Sequence, residues 1–213
     1  MKQEKLKREY VRVWAQGQAS FGASQSWLPG RHARACGCGL IACADTLLYL
    51  TDRRTLQRTE YLEYVAALRR YFSPIPYFGI DGLRLAWGIN RCLARSDLPL
   101  RARWCASGTR FWQRVEEMLS RDCPAVIAIG QNFPRFWQKK ELTLYRLTPR
   151  GEYVADCRVQ GHYVTVTALD ERYAEVSTWG RRLYVNRREF EEYVKRHSSW
   201  LFCNVLYLQE KNP

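Results

Sequence analysis

Nowhere in the 213 residues does an apolar run approach the ~18 needed to span a membrane as a helix. The opening stretch MKQEKLKREYVRVW alternates charge too quickly to supply the apolar core of a secretory signal. Acid is also scarce: 21 Asp and Glu stand against 34 Lys and Arg, a net charge of +13 with a pI near 9.6. Histidine is scarcer still, with three in the whole chain, His32, His162 and His197. Paired cysteine motifs are missing too. Cys36 and Cys38 have no second pair at metal-ligand spacing, which argues against a zinc site, and no cofactor motif stands elsewhere.

These absences lead to the expectation of a cytoplasmic protein without a membrane span. In a reducing compartment eight cysteines do not make a disulfide framework, so most are read as buried, inert thiols, Cys36 and Cys43 among them. The excess of cations raises the prior for an anionic partner. Against that, the basic residues are spread in small groups (RRTLQR, RFWQKK, WGRRLYVNRREF), and no zinc finger, basic zipper or RNA-recognition signature accompanies them. Nucleic-acid binding is therefore not expected to be the main role.

What is present is ample apolar material, 46% of residues with 14% aromatic, enough to bury one core. A single α+β domain over residues 1–213 is expected, with helices first and sheet second. Residues 1–37 read as an extended entry segment, because GQASFGASQSWLPG is rich in small and turn-forming residues. Residues 38–122 read as a mainly helical half. Ile41, Ala44 and Leu48 share a face after Cys38; TEYLEYVAALRRYF has helical period and is stopped by the prolines of SPIPYF; Asp81 can cap a third helix over 80–96, and 109–122 gives a fourth. Residues 123–213 read as the β half, with strands at 124–130, 141–147, 161–169, 173–180, 182–185 and 199–208. Asn186 is expected to cap a helix between the last two, with Glu189 completing a capping box.

Nucleophilic cysteine chemistry needs a thiolate, and a helix N-terminus favours one through its free N–H groups and partial positive charge. Cys38 falls where a helix should begin. Of the three histidines, His162 opens a strand directly after Gly161, so its ring would project from a rigid element. His197 lies beside Lys195 and Arg196, and His32 lies in the entry segment. Cys38 and His162 are the candidate nucleophile and base; the plain alternative makes both of them packed structural residues.

The stretch CGLIACADTLLYL resembles the Cys-Gly-x-x-Ala helix of papain-like cysteine peptidases of the bacteriocin-processing, double-glycine type. GHYVTVTALD is similar to their Gly-His strand, and DCPAVIAIG to the strand ahead of it. The resemblance spans about residues 25–205, with Asp45 to Arg121 matching only as helices. It implies a papain-like fold, a helical N-terminal half packed on an antiparallel sheet, and a bacterial thiol hydrolase acting on a peptide or protein substrate. It further implies a glutamine whose amide helps to hold the oxyanion, for which Gln25 is the counterpart and Gln18 the spare. The family's orienting Asp falls on STWG, where Ser177 takes its place, and Asp156 and Asp170 are the acidic substitutes. A non-catalytic scaffold that binds a peptide or nucleic acid is the alternative from another class.

Overall fold

The computed structural model describes residues 3–72, 79–105 and 110–211, with Cys105 by its backbone alone. Pro74 and Pro76, the expected helix stop, lie outside the described residues.

The chain begins with short strands, β1 (Glu4–Lys5), β2 (Arg12–Ala15) and β3 (Gln18–Phe21), then a 3-10 turn (Gln25–Trp27) and helix α1 (Arg31–Cys36). Residues 1–37 are thus more structured than the expected extended segment. The positive φ of Gln16 and Gly17 makes a tight hairpin between β2 and β3, which a composition reading of small residues does not register.

Helix α2 (Cys38–Leu50) starts at the expected residue, and every side chain from Gly39 to Tyr49 is buried. A helix buried on every face, with Asp45 and Thr46 among apolar residues, belongs inside a core. Full burial of Leu40, Leu47 and Leu48 contributes about 1.5–3 kcal/mol each. It ends at Thr51, whose N–H returns to the Leu47 carbonyl, with Asp52 in the left-handed region just beyond. β4 (Thr55–Gln57) and α3 (Arg58–Leu68) follow, the Glu60 carboxylate accepting from the Gln57 N–H at 2.7 Å. Helix α4 (Gly82–Leu93) is capped as expected: Asp81 Oδ1 accepts from the N–H groups of Leu83 and Arg84, both at 3.0 Å, a cap worth about 1 kcal/mol.

β5 (Leu100–Cys105) falls inside the expected helical half, and α5 (Phe111–Ser120) follows it. The rest is β6 (Ala125–Ile129), β7 (Leu142–Leu147), β8 (Tyr153–Val159), β9 (His162–Leu169), β10 (Tyr173–Thr178), β11 (Arg181–Asn186), α6 (Arg187–His197) and β12 (Val205–Glu210). These make a nine-stranded antiparallel sheet in the order β5-β12-β6-β9-β10-β11-β7-β8, with β1 added beside β9. A smaller sheet runs β3-β2-β4, in which β2 and β4 are parallel. The architecture is α+β, with β1 and β5, from the first half of the chain, completing the sheet of the second half. No helix among the described residues is long and apolar enough to cross a membrane.

Glu189 and several cysteines depart from expectation. Asn186 caps α6 through the N–H groups of Arg188 and Glu189, but Glu189 does not return to the cap; both its oxygens accept from the Tyr145 hydroxyl, at 2.7 and 2.8 Å. Of the cysteines, Cys43, Cys123 and Cys203 are buried, whereas Cys36, Cys38, Cys92 and Cys157 are only partly so; all seven are free thiols, and the Cys105 side chain lies outside the description.

β9 positions the candidate site. It lies between β6 and β10 and is buried along nearly its whole length, and α2 packs against it. The approach is close at Gly39, where a Cβ would come within 3.1 Å of the Tyr163 ring. Glycine at this point lets the first turn of α2 rest on the first residues of β9.

Candidate functional site

Cys38 is the first residue of α2, capped by Gly37 with no side-chain hydrogen bond. Burial pushes its thiol pKa up, and the backbone N–H groups of Tyr163, Gly39 and Cys38 itself act in the opposite sense without overcoming it. The helix N-terminus therefore favours the thiolate as expected, but desolvation is the larger effect.

His162 opens β9 and is 7% exposed. Its Nε2 lies 2.7 Å from Thr178 Oγ1, and its ring stacks on the Trp179 indole, centroids 4.6 Å apart and planes at 23°. Burial lowers its pKa to about 4. When Nε2–H donates to Thr178, Nδ1 keeps its lone pair, the tautomer a general base requires.

The residue bonded to the ring is thus Thr178, and the assignment of Ser177 as orienter is corrected. Ser177 Oγ donates instead to the Phe21 carbonyl at 2.9 Å. The physical reason is strand alternation: neighbouring residues of β10 point to opposite faces, so a one-residue difference selects a different set of neighbours. The acidic substitutes are elsewhere. Asp156 is held by Arg181 at 2.6 and 3.0 Å, and Asp170 accepts from the N–H groups of Arg172 and Tyr173 in its turn.

Trp179 is placed by strain as well as by packing. Thr178 and Arg181 end a hairpin whose two-residue loop, Trp179-Gly180, has φ of +52° and +72°. Both positions of such a turn need positive φ, which suits Gly180 and costs a tryptophan of order 1 kcal/mol. The loop is pinned from outside: the Phe21 N–H donates to the Gly180 carbonyl at 2.9 Å, and the Gly180 N–H to the Ala23 carbonyl at 3.0 Å. Sequence reasoning passed over Thr178 and Trp179, though a bulky residue ahead of the turn glycine was the available signal.

Cys38, Gln25, Thr178 and Trp179 line one cavity of about 10 Å³, room for about one water. His162 meets this cavity through Thr178 and Trp179, the two residues that hold its ring; no hydrogen bond joins Cys38 to His162 among the described residues. Gln25 lines the cavity with Cys38, but its Nε2 donates to the Arg34 carbonyl at 2.8 Å. Gln18 is an exposed residue of β3. On the other side of Tyr163 a cleft of about 260 Å³ opens beside His162, between Gly130, Gly161, Gln131 and Phe202.

The same cavity is lined by a group that sequence reasoning did not single out. Asp45, about two turns into α2, is 2% exposed. Its Oδ1 accepts from the Tyr61 hydroxyl at 2.7 Å and its Oδ2 from the Ala23 N–H at 3.0 Å. Burial raises its pKa to about 7, against the opposing effect of those donors. The Tyr10 hydroxyl is buried close to Asp45, Ser177 and Thr165 with no hydrogen bond of ordinary geometry. Asp45 and Ser177 both crowd Gly22, so this polar cluster lies directly under the segment that pins the Trp179 turn.

No three His, Cys, Asp or Glu side chains among the described residues gather as metal ligands. No family model, curated protein or solved structure matches the chain.

Proposed function

We propose that the chain is a thiol-dependent hydrolase or acyl transferase of papain-like type, acting on an amide or related acyl bond of a peptide or protein. The observation that carries this reading is one cavity: the cysteine at the start of a buried helix lines it with Thr178 and Trp179, the two residues that bond and cover the ring of His162.

In this reading His162 takes the Cys38 proton as sulfur attacks the carbonyl carbon, then returns it to the leaving group, and water repeats the sequence on the acyl-enzyme. A buried imidazole with a pKa near 4 and a thiol held above its ordinary value form a neutral pair at rest. Proton transfer must therefore accompany attack, since no preformed thiolate–imidazolium pair awaits the substrate. The N–H groups of Gly39, Cys38 and Tyr163 already act on the sulfur, and the first two belong to the free N-terminus of α2, where an oxyanion would also be stabilised. Gln25 would join them only by leaving the Arg34 carbonyl.

A second reading, a catalytically weak scaffold that binds a peptide or nucleic acid, is favoured by the same neutral pair and by Thr178, which bonds the ring without supplying a negative charge to stabilise imidazolium.

Labelling with a peptidyl electrophile separates the two. In the hydrolase reading Cys38 is modified at neutral pH, ahead of the partly exposed Cys36, and His162→Gln slows that modification by about 10²-fold or more. Cys36 labelled first, with Cys38 indifferent to His162→Gln, would overturn it in favour of the scaffold.

A further inference from the structure

The loop between β6 and β7 is closed at its base by one buried side chain. The Asn132 amide donates to the Lys140 carbonyl at 3.0 Å and its oxygen accepts from the Lys140 N–H at 2.9 Å. Residues 133–139 therefore project as an ordered protrusion. On it Phe136 is 57% and Trp137 77% exposed, and on the neighbouring turn before β12 Leu201 is 61% exposed. Phe133, Phe136 and Phe202 close on one another with centroids 5.1–6.3 Å apart. Apolar groups gathered this way in water mark a surface that meets something.

The charge around this knob is of one sign. Residues 131–140 hold Arg135, Lys139 and Lys140 and no acid, the first acid following at Glu141; residues 195–203 hold Lys195, Arg196 and His197 and again no acid. The two segments are tied side by side by the Phe133 N–H on the His197 carbonyl at 3.1 Å and the Ser198 hydroxyl on the Gln131 carbonyl at 2.7 Å. The cations Arg135, Lys140 and Arg196 are near enough to His197 to act on it.

From this complementarity we infer that the face formed by residues 133–140 and the end of α6 with the 201–202 turn docks on an anionic lipid surface. Rings and a leucine at a tip with lysines and arginines behind suit insertion at a headgroup boundary, the apolar groups entering and the cations meeting lipid phosphate and carboxylate. A single-stranded nucleic acid fits less well, because base stacking needs open ring faces. Phe133, Phe136 and Phe202 pack on one another, edge to face or tilted, and Leu201 has no ring, which leaves Trp137 as the one ring of the tip open to a base. Phe202 and Gln131 also line the cleft beside His162, so a docked molecule would present that cleft toward the lipid surface. The inference is independent of catalysis.

The test is co-sedimentation of the whole chain with phosphatidylcholine vesicles and with vesicles that also contain phosphatidylserine. Binding is expected to the second kind only. The exposed-site variant Phe136→Ser/Trp137→Ser, with its melting temperature unchanged, is expected to lose affinity by about tenfold or more, and Arg135→Glu/Lys139→Glu to move binding to lower salt. No sedimentation with anionic vesicles at low salt would overturn the proposal, as would binding that ignores the Phe136/Trp137 change. Tighter binding to single-stranded poly-uridine, lost in the same variant, would assign the face to nucleic acid instead.

Discussion

The hydroxyl of Thr178 lies 2.7 Å from Nε2 of His162, while that of Ser177, one residue earlier, is spent on the Phe21 carbonyl. Thr178→Val keeps the shape and removes the partner of a buried imidazole nitrogen, at a cost of about 1–3 kcal/mol. Cys38 alkylation is expected to slow several-fold in that variant. Ser177→Ala should leave the alkylation rate unchanged while lowering stability by about 1 kcal/mol. Equal kinetic effects of the two changes would show that Thr178 does not set the ring.

Asp45 and His162, both buried, give the protein opposed pH dependences. Asp45 rises from 3.8 to about 7 on folding, so the folded chain holds its proton where the unfolded chain has lost it. The stability present below pH 3.8 is lost as pH rises through 7, by about 4 kcal/mol. His162 falls from 6.5 to about 4, so its contribution is present above 6.5 and lost as pH falls through 4, by about 3 kcal/mol. Between pH 4 and 6.5 the slopes cancel. Urea unfolding should show a flat profile there for the native chain, a rise with pH in Asp45→Asn and a fall with pH in His162→Gln. A flat profile in both variants would mean that neither group is buried in its ionising form.

Trp179 is both cover and strain. Trp179→Gly relaxes the left-handed φ and opens His162 to water. Proton NMR should find the His162 pKa moved from about 4 toward 6.5, with stability changed little because the relief of strain offsets the lost stacking. An unmoved pKa would place the source of burial elsewhere.

Gly22 is a close-approach position, with φ +69° and with Ser177 Oγ and Asp45 Oδ2 in the space a Cβ would fill, the latter at 2.6 Å. Gly22→Ala is expected to cost about 2 kcal/mol or more, seen as a lower denaturant midpoint at constant slope. A shift of only a few tenths would show that the Asp45 cluster yields easily.

Features written in local chemistry were legible from the residues alone. Cys38 begins α2 because glycine and a mostly apolar run follow one another there, and Asp81 and Asn186 cap their helices through their own side chains. β5 was missed although Leu100-Arg101-Ala102-Arg103-Trp104 alternates, since it stands among helical segments and its partner, β12, is a hundred residues away. β8 carries Asp156 and was passed over as a loop because its mixed polarity belongs to an edge strand that buries little. Cys38 and His162 were named from residue type and position. Thr178 was not, since a bulge between Glu175 and Val176 shifts the pairing of β10 with β9, and counting along a strand cannot locate it. Asp45 was hidden by its own neighbours: one carboxylate in a buried helix looks like a gap in the pattern until its tyrosines are seen.

The double grip of Asn132 on Lys140 has a consequence for how this surface can change. The chain enters and leaves the 133–139 loop at a single clasp, so the sheet registers the clasp and not what lies between. Beyond it, the ties of the loop seen among the described residues are the Phe133 N–H and the packing of Phe133 and Phe136 on Phe202. A sequence of different length or chemistry could be grafted there at the cost of those ties. That makes the tip a replaceable cassette on a fixed frame, free to diverge while the residues around Cys38 and His162 stay as they are.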